Sequence, residues 1–211
     1  MSVASHSLDG QPAIEAMVEQ LAVAGYAVAD DIIAPALVAA LGGELAALEA
    51  TGALAPAAIG RAAGLRRDDD IRRAAIRWLD GGTKAERQLM ALAETLRQAI
   101  NRRLFLGLFD FECNYIAYPV GGFYGRHLDR LEGARNRIVS FIAYLDPDWG
   151  AGDGGELRLW RHPHDEGAPA ETVLPRGGRV VLMLSEEIPH EVLPARRPRH
   201  AIAGWWRVNA A

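Results

Sequence analysis

Two hydrophobic rhythms divide this chain. Up to about residue 110, apolar positions recur every three to four residues; beyond it they fall in short runs broken by Gly, Pro and Asp. Ile14, Met17, Val18 and Leu21 share one helical face, predicting a helix over 12–24 with Gly25 as its C-terminal cap. Residues 26–30 read as a short strand. Residues 35–50 are rich in Ala and Leu and predict a second helix, opened by Pro35 where its missing N–H costs little. Residues 84–104 predict the third and longest helix, with Leu89, Leu92, Leu96 and Ile100 as its buried stripe.

Residues 51–82 lie between the second and third helices. Their Gly, Ala, Arg and Asp give little material for a core until Ile76-Arg77-Trp78-Leu79, which reads as a strand. A connection this long inside a compact domain is usually functional, often a lid. After Phe111, β-like runs follow one another at 114–118, 124–129, 137–145, 156–160, 171–174, 178–184, 191–193 and 201–208. Short strands with regular turn signals between them imply a sandwich or jelly roll. The expected class is α+β: a double-stranded β-helix (jelly roll) with N-terminal helices packed on it. The expected division is a flexible N-terminus over 1–10 and a single domain over 11–211, with a helical layer at 11–110 and a jelly-roll core at 111–208.

Composition narrows the function. The 211 residues are 50% hydrophobic and 24% charged, ordinary for a globular domain, and the net charge of −4 supplies no basic field for nucleic acid. Arginines cluster over 61–77 and 196–199, but acidic residues interrupt the first group. Cys113 is the only cysteine, so no intrachain disulfide can form and a reducing cytoplasm is the expected home. The opening residues lack a charged segment followed by an apolar one, and no run reaches membrane-spanning length.

The candidate chemistry lies in His127-Leu128-Asp129, His190 and Arg199. On a strand, residues two apart face the same way, so His127 and Asp129 are expected to point together while Leu128 turns away. Two neutral imidazoles and one carboxylate leave metal positions open, the ligand set of non-haem Fe(II) oxygenases. A His-x-Asp is common by chance, and so is a buried, hydrogen-bonded histidine; the combination with Arg199 in an all-β setting carries the inference. His162 and His164 share the same spacing but flank Pro163 among Asp, Glu and Gly, and read as surface residues. Arg199 can hold the distal carboxylate of a keto-acid co-substrate in a planar fork that never loses its charge. The formal charges of Fe(II), Asp129, 2-oxoglutarate and Arg199 then cancel, so a closed site can bury them together. Strand alternation from Arg199 places Ala201, Ala203 and Trp205 on the same face, a small floor and an aromatic wall. Tyr144 is either a phenol donor to the same carboxylate or a core tyrosine.

With their neighbours, these residues resemble the 2-oxoglutarate-dependent prolyl hydroxylases of the hypoxia-inducible factor type and their bacterial relatives, over about residues 13–208. The resemblance is carried by Tyr118-Pro119 and Gly-Gly-Phe-Tyr124-Gly-Arg-His127-Leu-Asp129, then Tyr144-Leu-Asp-Pro-Asp-Trp149 and Gly154-Gly-Glu-Leu157-Arg-Leu. It continues through Pro189-His190-Glu-Val-Leu-Pro194 and Arg199-His-Ala-Ile-Ala-Gly-Trp205, and includes the loop segment from Asp70 to Trp78. It implies that His127, Asp129 and His190 bind iron, and that Arg199 and Tyr144 bind 2-oxoglutarate. It further implies that Tyr118, Leu157 and Trp205 line the co-substrate pocket, with Tyr124, Trp78 and Arg137 on the substrate side. Fe(II), 2-oxoglutarate and O2 are the implied cofactor and co-substrates, with L-ascorbate as a further candidate. A protein or peptide containing proline is the implied partner, with no nucleic acid and no membrane. Two departures stand out. Ala203 occupies a position where a threonine is expected in the animal enzymes, and Arg73, Ala74 and Ala75 replace more polar positions in the loop. The animal substrate therefore does not transfer. The rival readings are an oxygenase of a free amino acid or other small molecule, and a non-catalytic metal- or ligand-binding jelly roll.

Overall fold

Helix formation in the N-terminal half follows local chemistry. In the computed structural model, which describes residues 10–30, 32–57, 68, 70–129 and 136–208, α1 spans Gln11–Ala24 and ends at Gly25, whose φ of 76° is the left-handed conformation glycine accepts. Helix α2 spans Pro35–Ala50 and α3 spans Lys84–Leu104. The Thr83 hydroxyl caps α3 by accepting from the Glu86 backbone N–H at 3.0 Å, while Arg102 and Arg103 sit in its last turn, where cations oppose the helix dipole. Ile14, Met17, Val18 and Leu21 of α1, Val38, Leu41 and Leu45 of α2, and Leu89, Leu96 and Ile100 of α3 are buried in one cluster. Leu92, expected in the same stripe, is only partly buried; Ala93 and Ala99 complete it instead.

The strands are β1 (Tyr26–Ala29), β2 (Ala55–Pro56), β3 (Ala75–Trp78), β4 (Asp110–Tyr118), β5 (Tyr124–His127), β6 (Arg137–Tyr144), β7 (Leu157–Leu159), β8 (Glu171–Val173), β9 (Val180–Leu184), β10 (His190–Val192) and β11 (Arg199–Arg207). They form two antiparallel sheets, a seven-stranded one in the order β1-β9-β6-β11-β4-β3-β2 and a four-stranded one in the order β5-β10-β7-β8. The helices cover one face of the large sheet. Its other face packs on the small sheet through a second cluster that includes Ile116, Leu157, Val181, Met183 and Val192. This is the expected double-stranded β-helix with helices packed on it.

The separation at residue 110 is less clean than the periodicity suggests. β1 pairs with β9, and β3 pairs with β4, so the N-terminal half supplies three strands to the large sheet. Non-local pairing of this kind leaves no periodic mark. Of the expected flexible N-terminus, residues 1–9 lie outside the described residues, as do 58–67 and 69 of the expected lid.

Candidate active site

His190 stands directly opposite His127 in the β10–β5 pairing, which puts both imidazoles at one end of the small sheet. The expected strand over 124–129 stops at His127, so Asp129 does not share the strand's alternation. It reaches the same point differently: its backbone N–H bonds the Ser185 carbonyl at 3.1 Å, turning the chain inward. One ligand atom from each of His127, Asp129 and His190 lies within 4.8 Å of the others. The His127 Nε2 is 3.4 Å from Asp129 Oδ1, and the His190 Nε2 is 3.6 Å from Asp129 Oδ2.

The surrounding bonds orient this set. The Nδ1 of His127 lies 2.7 Å from the Gly125 carbonyl, and that of His190 lies 3.1 Å from the Ile188 carbonyl. A carbonyl can only accept, so each Nδ1 carries a proton, which leaves Nε2 as the position from which either ring can ligate a metal. Burial pushes the His190 pKa down to about 4, and His127 acts in the same direction, so the imidazole is neutral at physiological pH. Burial alone would raise Asp129; His190, His127 and the Ser140 hydroxyl outweigh it and hold the carboxyl well below the usual range. Ser140 donates to Asp129 Oδ2 at 2.7 Å and meets the Ser185 hydroxyl at 2.9 Å. Two imidazole Nε2 atoms and one fixed carboxylate on adjoining backbone fit a ferrous ion and leave coordination positions open.

Arg199 opens β11, opposite Tyr118 of β4. It is 1% exposed, and no carboxylate among the described residues pairs with it. Its guanidinium carbon lies 4.9 Å from the Tyr118 ring centre and 5.1 Å from that of Tyr144. The Arg199 Nε and the Tyr144 hydroxyl are both buried without a hydrogen-bond partner. Burial also pushes the Tyr144 phenol up to about 12, against the pull of Arg199, so it remains a proton donor. A buried cation and a buried donor without an acceptor are costly unless an anion joins them. A distal carboxylate meets that need. Gly155 makes room for the arginine, since a Cβ there would lie 2.9 Å from the Arg199 Cδ.

A cavity of about 660 Å³ opens beside the three ligands. Tyr118, Tyr124, Leu157 and Trp205 line it with His127, Asp129 and His190, and so do Trp78 and Arg137. Arg199 and Tyr144 are not part of that lining and sit one layer deeper, behind Tyr118. Tyr124 stacks on His127 with ring centres 3.6 Å apart, under the Arg72 guanidinium at 4.7 Å. Arg137 lies over Trp205 at 3.7 Å and is held there by Glu112 at 2.7 Å. Trp78 is 48% exposed at the rim, 6.2 Å from Trp205. Ala201, Ala203 and Trp205 share a face as expected, and His162 and His164 are exposed.

Sequence reasoning missed Ser140, Ser185, Arg72 and Asn114. Ser140 and Asn114 did leave a signal: each is a polar residue between apolar or aromatic neighbours in a strand, Val139 and Phe141 in one case and Cys113 and Tyr115 in the other.

Residues 113–207 match the family model of the 2OG-Fe(II) oxygenase superfamily. The chain is 31% identical over 206 residues to Egl nine homolog 1 of Homo sapiens, covering 92% of this chain and 46% of that protein. It is 31% identical over 147 residues to the hypoxia-inducible factor prolyl hydroxylase of Caenorhabditis elegans, covering 65% of this chain and 20% of that one. The chain thus spans about half, or less, of the length of the curated relatives it matches. Among solved structures, a Pseudomonas putida prolyl-4-hydroxylase superposes with a TM-score of 0.83 at 40% identity, over 93% of this chain and 100% of that one. A Trichoplax adhaerens prolyl hydroxylase in complex with a hypoxia inducible factor peptide fragment gives 0.82 at 25% identity, over 96% and 94%. Likeness that runs at 40% identity along the full Pseudomonas enzyme goes beyond a shared fold, and this chain belongs to the prolyl hydroxylase family of 2-oxoglutarate/Fe(II) oxygenases.

Proposed function

We propose that this chain hydroxylates a prolyl residue of a protein or peptide. The overall change inserts one atom of O2 into a ring C–H bond; the other enters succinate as 2-oxoglutarate loses CO2. The carrying observation is that two imidazole Nε2 atoms and an ionised carboxylate converge beside a cavity of about 660 Å³. The exposed Trp78 extends the cavity rim outward, where a longer chain can continue.

His127, Asp129 and His190 would hold the iron, which when bound supplies the activation of O2 and the keto acid. Arg199 and Tyr144 would bind the distal carboxylate, fixing the co-substrate by its far end and cancelling the buried positive charge. Ser140 keeps Asp129 oriented and ionised through its hydroxyl. Tyr124 and Trp205 wall the cavity and exclude water from the reacting carbon. Support for a peptide substrate comes from the Trichoplax relative, which was captured with a peptide fragment. L-ascorbate is the proposed reductant that sustains turnover.

The test compares proline-containing peptides with free proline, following succinate release and a mass gain of one oxygen. Peptide-dependent succinate with hydroxylated peptide is the expected result. Turnover of free proline alone moves the chain to the small-molecule reading, and no turnover of either rejects the assignment.

A further inference from the structure

Asn114 is a buried, polar, cavity-lining side chain whose chemistry the proposed reaction does not use. It lies in β4, opposite Trp78 of β3 and Ala203 of β11, so the three share a face, and all three line the cavity. It is 1% exposed, yet its Oδ1 has no hydrogen-bond partner and its carboxamide makes no recorded bond to the protein. Trp205, two residues beyond Ala203 on the same side of β11, likewise buries an indole N–H without an acceptor. Burying each of these groups without a partner destabilises the fold. A chain that folds with both on one cavity wall has its partner arriving from outside.

The two groups together identify that partner. A carboxylate can accept from the indole N–H and, with the amide turned, from the Asn114 NH2, but it has no donor for the Asn114 oxygen. An apolar group satisfies neither. A residue of an extended peptide presents its N–H and its C=O on the same side, so a carboxamide can pair with both whichever way the Asn114 amide is turned. Trp78 pairs with Asn114 across β3 and β4, and Trp205 sits diagonally from it on β11; with ring centres 6.2 Å apart, the two indoles border Asn114 on the cavity wall.

We propose that Asn114 is a substrate-specificity residue, pairing with a main-chain amide of the peptide next to the target proline while Trp205 donates to its carbonyl. The inference rests on the prolyl-peptide reading above and deepens it. It explains how a cavity with an open rim can select a polypeptide over a free imino acid, which has no flanking amide to offer.

The test is Asn114→Leu, close in volume and without polar atoms, assayed with a proline-centred random peptide mixture. Peptide KM is expected to rise about tenfold, the worth of one buried hydrogen bond. The KM for 2-oxoglutarate is expected to move less than about twofold, within the scatter of a single-site change. The melting temperature is expected to hold or rise, because an unsatisfied polar group has been removed. A second arm uses peptides N-methylated at each amide flanking the proline, with one position expected to lose the Asn114-dependent gain. An unchanged peptide KM in Asn114→Leu overturns this proposal alone. So does a rise in 2-oxoglutarate KM without one for peptide, or a fall in melting temperature that accounts for the loss. If the unaltered chain turns over no peptide while still consuming 2-oxoglutarate, the prolyl-peptide reading fails and this inference falls with it.

Discussion

Strand β4 presents two faces with opposite chemistry. Cys113, Tyr115 and Ala117 point toward the helices, where the Tyr115 hydroxyl donates to Glu44 at 2.7 Å and Thr83 donates to the same carboxylate at 3.0 Å. Asn114, Ile116 and Tyr118 point toward the cavity, and there Asn114, Tyr144, Arg199 and Trp205 all bury polar atoms without partners. The helix side has an exception in the Trp206 indole N–H, which is packed against Phe111 and Phe141. The contrast separates stability from function along a single strand. Apart from that indole, the helix-side face satisfies its polar groups within the chain, whereas the cavity side leaves several for a ligand to meet.

The largest expected effects set these faces against each other. On the helix side, Leu96→Ala removes a fully buried side chain and should cost about 2–5 kcal/mol of folding free energy by denaturant titration, leaving the KM for 2-oxoglutarate unchanged. On the cavity side, Arg199→Met should raise that KM about a hundredfold through loss of charge-assisted bonds. It should also keep or improve the melting temperature, since a buried cation lacking a carboxylate is removed. A marked stability loss in Arg199→Met would break the comparison. Ser140→Ala should weaken iron affinity about tenfold, as loss of a group that orients a ligand does, and can be read by equilibrium dialysis.

The smallest effect concerns pH. His200 on β11 meets Asp146 at 2.7 Å and Glu49 of α2 at 2.9 Å, and the bond to Asp146 raises its pKa above the usual histidine value. A raised folded-state pKa stabilises fully below the unfolded value and is lost as pH rises through the folded one. His200→Gln should therefore lower the melting temperature by about 2 °C near pH 6 and by less at about pH 8.5. Equal losses at both values would remove the ion pair as the cause.

Much of this was legible in the chain itself. The helices carry their own period and caps, so α2 and α3 begin and end where Pro35, Thr83 and the apolar spacing place them. The candidate metal ligands were legible as residue types, and Arg199 as a cation at the head of a largely apolar strand. Other features depend on what lies across space. Asp129 is turned inward by Ser185, a residue far along the chain, so its place past the end of β5 could not follow from alternation. The pairing of β3 with β4 gives Asn114 its neighbours Trp78 and Ala203, and long-range pairing has no local sequence signature.

The proposed function requires that His127, Asp129 and His190 form one metal site into which 2-oxoglutarate is drawn by Arg199. Anaerobic visible absorption on adding Fe(II) and then 2-oxoglutarate tests it most directly. A charge-transfer band should appear only when both are present, be absent from Asp129→Ala, and in Arg199→Met require about a hundredfold more 2-oxoglutarate. A band of undiminished strength in Asp129→Ala, or none in the unaltered chain, would contradict it.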